Sequence, residues 1–213
     1  MVSAARDAVL GVVAAHIGGL GERPIVAIDG GEGAGKTRFA DELGEWIERA
    51  GRPALRASID GFHNPRSERL RRGTASPEGY FLDSYNYDDF IGRLVMPFRG
   101  GAKSVDTAIF DYRADQAMTS ARPVLENAVL LIDGIFLHRD ELAPLWQASV
   151  FLQVPFATAF RRMGLRDSTS TDWESMVNRR YLEGQRIYLQ TCKPQHKATF
   201  IVDNDAIEAP AII

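Results

Sequence analysis

The sequence predicts an α/β domain in which a parallel sheet carries helices on both faces. Short strand-length apolar runs, PIVAID, VLLID and residues 148–154, alternate with longer stretches of helical periodicity. Those runs are nearly continuous in apolar character, as strands covered on both faces are. The octet GGEGAGKT, residues 30–37, joins the first of them to a helical stretch, so a strand, a glycine loop and a helix follow one another.

Residues 8–20, AVLGVVAAHIGGL, read as a leading amphipathic helix. Asp7 and His16 interrupt the pattern and the run is too short to span a bilayer, which argues against a signal peptide or anchor and makes a cytoplasmic location the expectation. Residues 24–29 form the first strand. Residues 36–50 form a helix with Phe39, Leu43, Trp46 and Ile47 on one face, stopped at Gly51. Residues 53–59 give a second strand ending at Asp60-Gly61. The polar segment that follows, about 62–86, is an excursion from the core.

Further along, a helix is expected over 87–97, strands over 104–110, 128–133 and 148–154, and a helix over 156–167. The loop STSTD belongs to a small lid at about 166–173. A long helix over 172–190 carries Trp173, Met176, Val177, Tyr181, Ile187, Tyr188 and Leu189, and residues 198–202 close as a final strand. The tail from Asp203 has no readable pattern. Without repeats or a linker, residues 1–213 make a single domain.

Hydrophobic residues are 45% and charged residues 25% of the chain, the balance of a packed globular protein. A net charge of −3 leaves no basic footprint for nucleic acid, and the apolar runs leave none for a membrane. Cys192 is the sole cysteine, so no intrachain disulfide forms, and it reads as a buried, inert thiol.

The spacing Gly30-x4-Gly35-Lys36-Thr37 is a phosphate-binding loop in its proper context, after a strand and opening a helix. Gly30, Gly31, Glu32, Gly33, Ala34 and Gly35 can turn successive N–H groups toward phosphate oxygens, with Arg38 in the first helical turn. Lys36 then reaches the β- and γ-phosphates of a nucleotide and Thr37 ligates Mg2+, joined by Asp133 at the end of VLLID, which is otherwise a turn former. Asp60 ends a neighbouring strand and faces the same crevice, as a general base for an attacking hydroxyl or as a turn former. Arg162 and Arg166 share a helix face and can approach the migrating phosphoryl charge, or they form a solvated face. His63, Tyr87, Asp88, Phe110 and Tyr112, with Phe62 and Tyr85, are the pool for an acceptor pocket. A guanine-reading switch is disfavoured, because VDND lacks the lysine of that signature.

In their order, GGEGAGKT, SIDGFH, SYNYDDF, IFDYRAD, VLLIDGIFL and FRRMGLRD resemble the uridine kinase family, within the group that includes phosphoribulokinase, pantothenate kinase and nicotinamide riboside kinase. The resemblance spans nearly the whole chain. It implies a P-loop nucleoside triphosphate hydrolase fold of the NMP-kinase-like kind and ATP-dependent phosphorylation of a small-molecule alcohol, a nucleoside such as uridine or cytidine. Nicotinamide riboside, pantothenate, a sugar or glycerate is the alternative acceptor, and a non-catalytic nucleotide-binding module is a further one. It also implies that Asp60 activates the hydroxyl, that Asp88 lies near the sugar, and that Arg162 and Arg166 lead into the lid. Asp133 stands where the family carries glutamate. Asp115 or a neighbour stands where uridine-cytidine kinases carry a base-reading histidine, and STSTDWES lacks the family's further lid arginines. Self-association is left open.

Overall fold

The computed structural model describes residues 3–213. The first helix, α1 (Ala4–Gly18), begins where the Ser3 hydroxyl accepts the Arg6 N–H. β1 (Ile25–Gly30) follows, buried along its whole length, and α2 (Lys36–Arg49) starts directly after the glycine loop. β2 (Ala54–Ser58) leads into the excursion, whose two short helices are α3 (Arg66–Arg69) and α4 (Pro77–Asp83). A bridge between His63 and Tyr85 closes it.

The helix expected over 87–97 is present as three consecutive pieces, α5 (Tyr87–Phe90), a π turn over Ile91–Val95, and α6 (Met96–Arg99). The wide turn ends two residues before Pro97, whose missing N–H interrupts an α-helical ladder. β3 (Ser104–Asp111) and β4 (Gln116–Pro123) then form an antiparallel hairpin. This corrects the expectation of one strand in the parallel sheet. β5 (Val129–Gly134) and β6 (Ala148–Gln153) are central strands, and α7 (Phe156–Asp167) follows with the expected bounds.

The long helix expected from residue 172 begins later, as α8 (Arg179–Cys192). Asn178 is buried and its amide donates to the carbonyls of Ser170 and Asp172 at 3.0 and 2.7 Å, so these residues close into turns. Met176 and Val177 are accordingly exposed, 75% and 67%, and are no part of a core stripe. After α9 (Pro194–Lys197), β7 (Phe200–Asp203) is not the last strand, because the tail returns as β8 (Ala211–Ile212).

The main sheet has the order β2-β5-β1-β6-β7-β8, parallel except for the β7–β8 pair. Alternation along β1 divides the core in two. Ile25 and Ala27 face a layer with Phe136, Tyr188 and the excursion, whereas Val26 and Ile28 face α1 and α2 through Leu10, Phe39 and Leu43. Cys192 is buried, and that burial raises its thiol pKa. No helix among the described residues is long and apolar enough to cross a membrane.

One polar cluster lies at the end of β1. Asp29 has no exposed surface, and its carboxylate accepts from Gly30 N at 2.7 Å, His138 N at 3.2 Å, the His138 ring Nδ1 at 2.6 Å and the Tyr188 hydroxyl. Removing it leaves those donors buried and unpaired. Asp29→Ala is expected to lose about 3–5 kcal/mol of stability, measured by urea denaturation.

Candidate active site

The parallel register aligns the carboxyl ends of three strands. Ser58 sits beside Asp133, Asp133 beside Ile28, and Gly134 beside Asp29. The loop after β1, the end of β5 and the turn after β2 therefore open on one side of the sheet, where ligands of parallel α/β folds bind. There lies a crevice of about 770 Å³.

The glycine loop forms one wall. Gly33 has φ +71° and Gly35 φ +87°, and a Cβ on Gly33 would lie 2.0 Å from the Ala159 carbonyl oxygen, so α7 and the loop meet only because the side chain is absent. Lys36 Nζ donates to Gly31 O at 2.8 Å, which arches the lysine over the loop. From behind, Asn204 donates to Ala34 O at 2.7 Å and is itself held by Arg6 at 3.2 Å. Asn204 belongs to the VDND segment, where sequence reasoning sought a base-reading signature and found none.

Three carboxylates in the crevice are each fixed by a hydroxyl. Thr37 Oγ1 donates to Asp133 Oδ2 at 2.8 Å, while Arg56 Nη2 donates to Asp133 Oδ1 at 2.8 Å. Tyr85 donates to Asp60 Oδ1 at 2.9 Å, and Tyr80 to Glu32 Oε1 at 2.9 Å. Burial, and then the adjacent carboxylate charge, holds both tyrosine hydroxyls well above the usual phenol range, so they stay protonated donors. His63 Nδ1 donates to Asp60 O at 2.8 Å, and its ring lies between those of Tyr85 and Tyr112, with centroids at 4.5 and 4.7 Å. Burial lowers the His63 pKa against the opposing pull of Asp60.

No protein-family model matches the sequence. A uridine kinase of Leuconostoc citreum (strain KM20) is 27% identical over 184 residues, covering 83% of this chain and 81% of that protein. Among solved structures, a possible uridine kinase from Bacillus stearothermophilus superposes with a TM-score of 0.72 at 20% identity, covering 90% of this chain and 96% of the other. The chain resembles the uridine kinase-like group of P-loop kinases. A candidate fructose transport system kinase from Silicibacter sp. TM1040 shares the fold, with a TM-score of 0.64, 23% identity and coverage of 82% and 93%.

Set in this fold, the expected residues divide. Glu32, Gly33, Gly35, Lys36, Thr37 and Arg38 line the crevice, and Asp60, His63, Tyr112, Asp133 and Arg166 join them from other segments. Gly30, Gly31 and Ala34 form the back of the loop. Arg166 is paired with Asp167 through two bonds of 2.8 and 2.7 Å, which raise its pKa and lower that of the aspartate.

Four expected residues lie elsewhere. Arg162 donates to the carbonyls of Asn204 and Asp205, at distances down to 2.7 Å, and ties α7 to the loop after β7. The loop carbonyls, with no side-chain partners in the sequence to announce them, outcompete the crevice for its guanidinium. Tyr87 packs on the core beneath the Arg139 guanidinium, 4.9 Å from its ring centroid. Asp88 is exposed in the first turn of α5, and Phe110 lies on the β3–β4 hairpin opposite Ala117.

Other lining residues escaped the sequence reading. Arg69, Arg113, Arg180, Tyr80 and Tyr181 all reach the crevice. Asp115, in the hairpin turn, accepts from Arg66 N at 2.8 Å and Arg69 Nη2 at 3.3 Å, which holds the hairpin tip against α3. The only signal for Arg69 and Arg180 was the density of arginines around residues 66–72 and 179–180, indistinguishable from a solvated surface, while Arg113 stood inside IFDYRAD with no role assigned to it.

Gly33→Ala is expected to lower the melting temperature and remove nucleotide binding together, checked by thermal unfolding and by calorimetric titration of ATP. The half-buried His63 gives a pH signature. The folded chain resists protonating it and the unfolded chain does not, so stability falls as pH drops through the free imidazole value of about 6.5. The slope of unfolding free energy against pH is therefore expected to be shallower in His63→Phe between about pH 7 and 5.

Proposed function

We propose that the protein is an ATP-dependent kinase that transfers the γ-phosphoryl group to a hydroxyl of a small molecule, with a nucleoside as the first candidate acceptor. The single observation that carries this reading is the convergence in one crevice of Lys36, the Thr37–Asp133 pair and the Tyr85-held carboxylate of Asp60. The resemblance to the uridine kinase of Leuconostoc citreum supports the choice of acceptor class.

The residues fit a magnesium ion. Thr37 Oγ1 and the Asp133 carboxylate are hard oxygen donors, and Mg2+ bound with a nucleotide takes only one or two protein oxygens. Among the described residues no group of three or more His, Cys, Asp or Glu side chains could hold a metal ion. Thr37 and Asp133 would hold the ion, and it would supply neutralisation of phosphate charge when bound.

The chain's own groups do the rest. Loop N–H groups and the start of α2 cradle the phosphates. The bond from Tyr85 fixes one oxygen of Asp60 and aims the carboxylate to take the acceptor's hydroxyl proton. Lys36 offsets charge on the moving phosphoryl group, and Arg166 adds to this after exchanging Asp167 for phosphate oxygens as the segment after α7 closes. Arg162 positions the loop after β7.

A second reading of the acceptor rests on Arg69, Arg113, Arg166 and Arg180, which all line the crevice. Four guanidiniums suit an acceptor that carries a carboxylate or phosphate beside its hydroxyl. The deciding assay couples ADP release to a panel of uridine, cytidine, nicotinamide riboside, pantothenate, sugars and glycerate. Stimulation by a nucleoside supports the first reading, stimulation confined to anionic alcohols the second, and nucleotide binding without turnover on any acceptor would refute the kinase assignment.

With the responding acceptor, Asp60→Asn is expected to lower kcat by about 10²–10⁴-fold while ATP affinity is unchanged. Arg166→Ala should lower kcat, whereas Arg162→Ala should lower thermal stability and leave kcat within a few-fold of the parent. Equal kcat losses in the two arginine variants would contradict their separation.

A further inference from the structure

Against the glycine loop lies a second cavity of about 230 Å³, which shares only Ile135 with the lining of the crevice. Its walls are the back of the loop at Gly31 and Ala34, the end of β6 at Phe151 and Leu152, and α8 at Gln185 and Leu189. The proposed reaction uses none of this space. The lining is mostly carbon, and an apolar cavity of about 150 Å³ already suffices to take up benzene in another protein.

Three glutamines interrupt the apolar lining, Gln153 exposed, Gln195 half-buried and Gln185 buried. Gln185 is 3% exposed, and its Oε1 accepts the Glu32 N–H at 3.1 Å. That bond fixes which end of the amide is which, because only the oxygen can accept. Nε2 is then left buried with no hydrogen-bond partner, and a buried amide donor is rarely left so. It stands in the lining of a cavity large enough to hold a partner.

We infer that this cavity is a binding site for a compact, mainly apolar molecule that carries one hydrogen-bond acceptor, a carbonyl or ether oxygen, directed at Gln185 Nε2. Water alone satisfies the amide but leaves the apolar walls wetted; a small aromatic or branched aliphatic carbonyl compound meets both demands. The same amide caps the loop at Glu32, so occupancy is linked to whatever the loop binds, and the linkage is reciprocal. The site itself is independent of the kinase reading.

The test uses two probes of one shape, acetophenone and α-methylstyrene, which differ in having C=O or C=CH2. Each is titrated into the full chain without nucleotide and followed by amide NMR. The expected result is saturable single-site binding that shifts the Gln185 side-chain amide and the Glu32 N–H, with acetophenone tighter by up to about tenfold. Gln185→Leu should erase that preference. Leu189→Phe, which narrows the cavity without touching the Gln185–Glu32 bond, should remove binding of both probes while the melting temperature and the rest of the spectrum persist. Absence of saturable shifts up to the solubility limits overturns the site. Equal affinities in the parent chain overturn the role of Gln185. Because the titration reads binding and not turnover, its failure is distinct from failure of the kinase assay.

Discussion

A carboxylate sealed from water fixes the place from which everything else in the site is measured. Asp29 ends β1, immediately before the glycine loop, and accepts hydrogen bonds from its own strand end, from the segment after β5 and from α8. The His138 ring that meets it reaches Ser149 of β6 at 2.9 Å, and Lys197 holds the His138 carbonyl at 2.8 Å. Four other parts of the chain are thus tied to the origin of the loop. A buried charge tolerates little displacement from its donors, so the first residue of the loop has one position. The close approach of Gly33 to α7 and the bond from Asn204 to Ala34 then set its curvature.

The crevice uses a different device. Glu32 and Asp60 each receive a tyrosine hydroxyl, from Tyr80 and Tyr85, in place of a neutralising cation, and Asp133 receives the Thr37 hydroxyl. A hydroxyl orients a carboxylate without cancelling its charge, so the group remains available to a proton or a cation. Asp133 alone also meets an arginine, Arg56, which is drawn in turn toward Asp41. Arg166 and Asp167, held to each other, are the opposite case of a charge kept in reserve.

How much of this the sequence disclosed follows from where each segment is buried. β1 and β5 are covered on both faces and read as unbroken apolar runs, and α2 and α7 have one apolar face each, so all four were legible. β4 is almost wholly exposed, and QAMTSARP carries no alternation to mark it as a strand. The start of α8 was misplaced because apolar spacing at Trp173, Met176 and Val177 imitates a helix, whereas the Asn178 amide closes turns there. The glycine loop, Asp60 and Asp133 announced themselves through spacing and strand ends. Tyr80 and Gln185 did not, because their partner, Glu32, is remote in sequence and no local pattern links them.

The two ends of the main sheet bear on the protein's behaviour at high concentration. An unpaired strand edge is a template on which another chain can build. On one side the sheet stops at β8, which pairs for only two residues, in the opposite direction to its neighbours, and so offers little backbone to an incoming strand. On the other side β2 carries Arg56, whose guanidinium reaches across to Asp41 and Asp133. One border is too short to extend and the other is marked with charge. Brevity and charge at a strand edge are both features that disfavour edge-to-edge pairing of sheets.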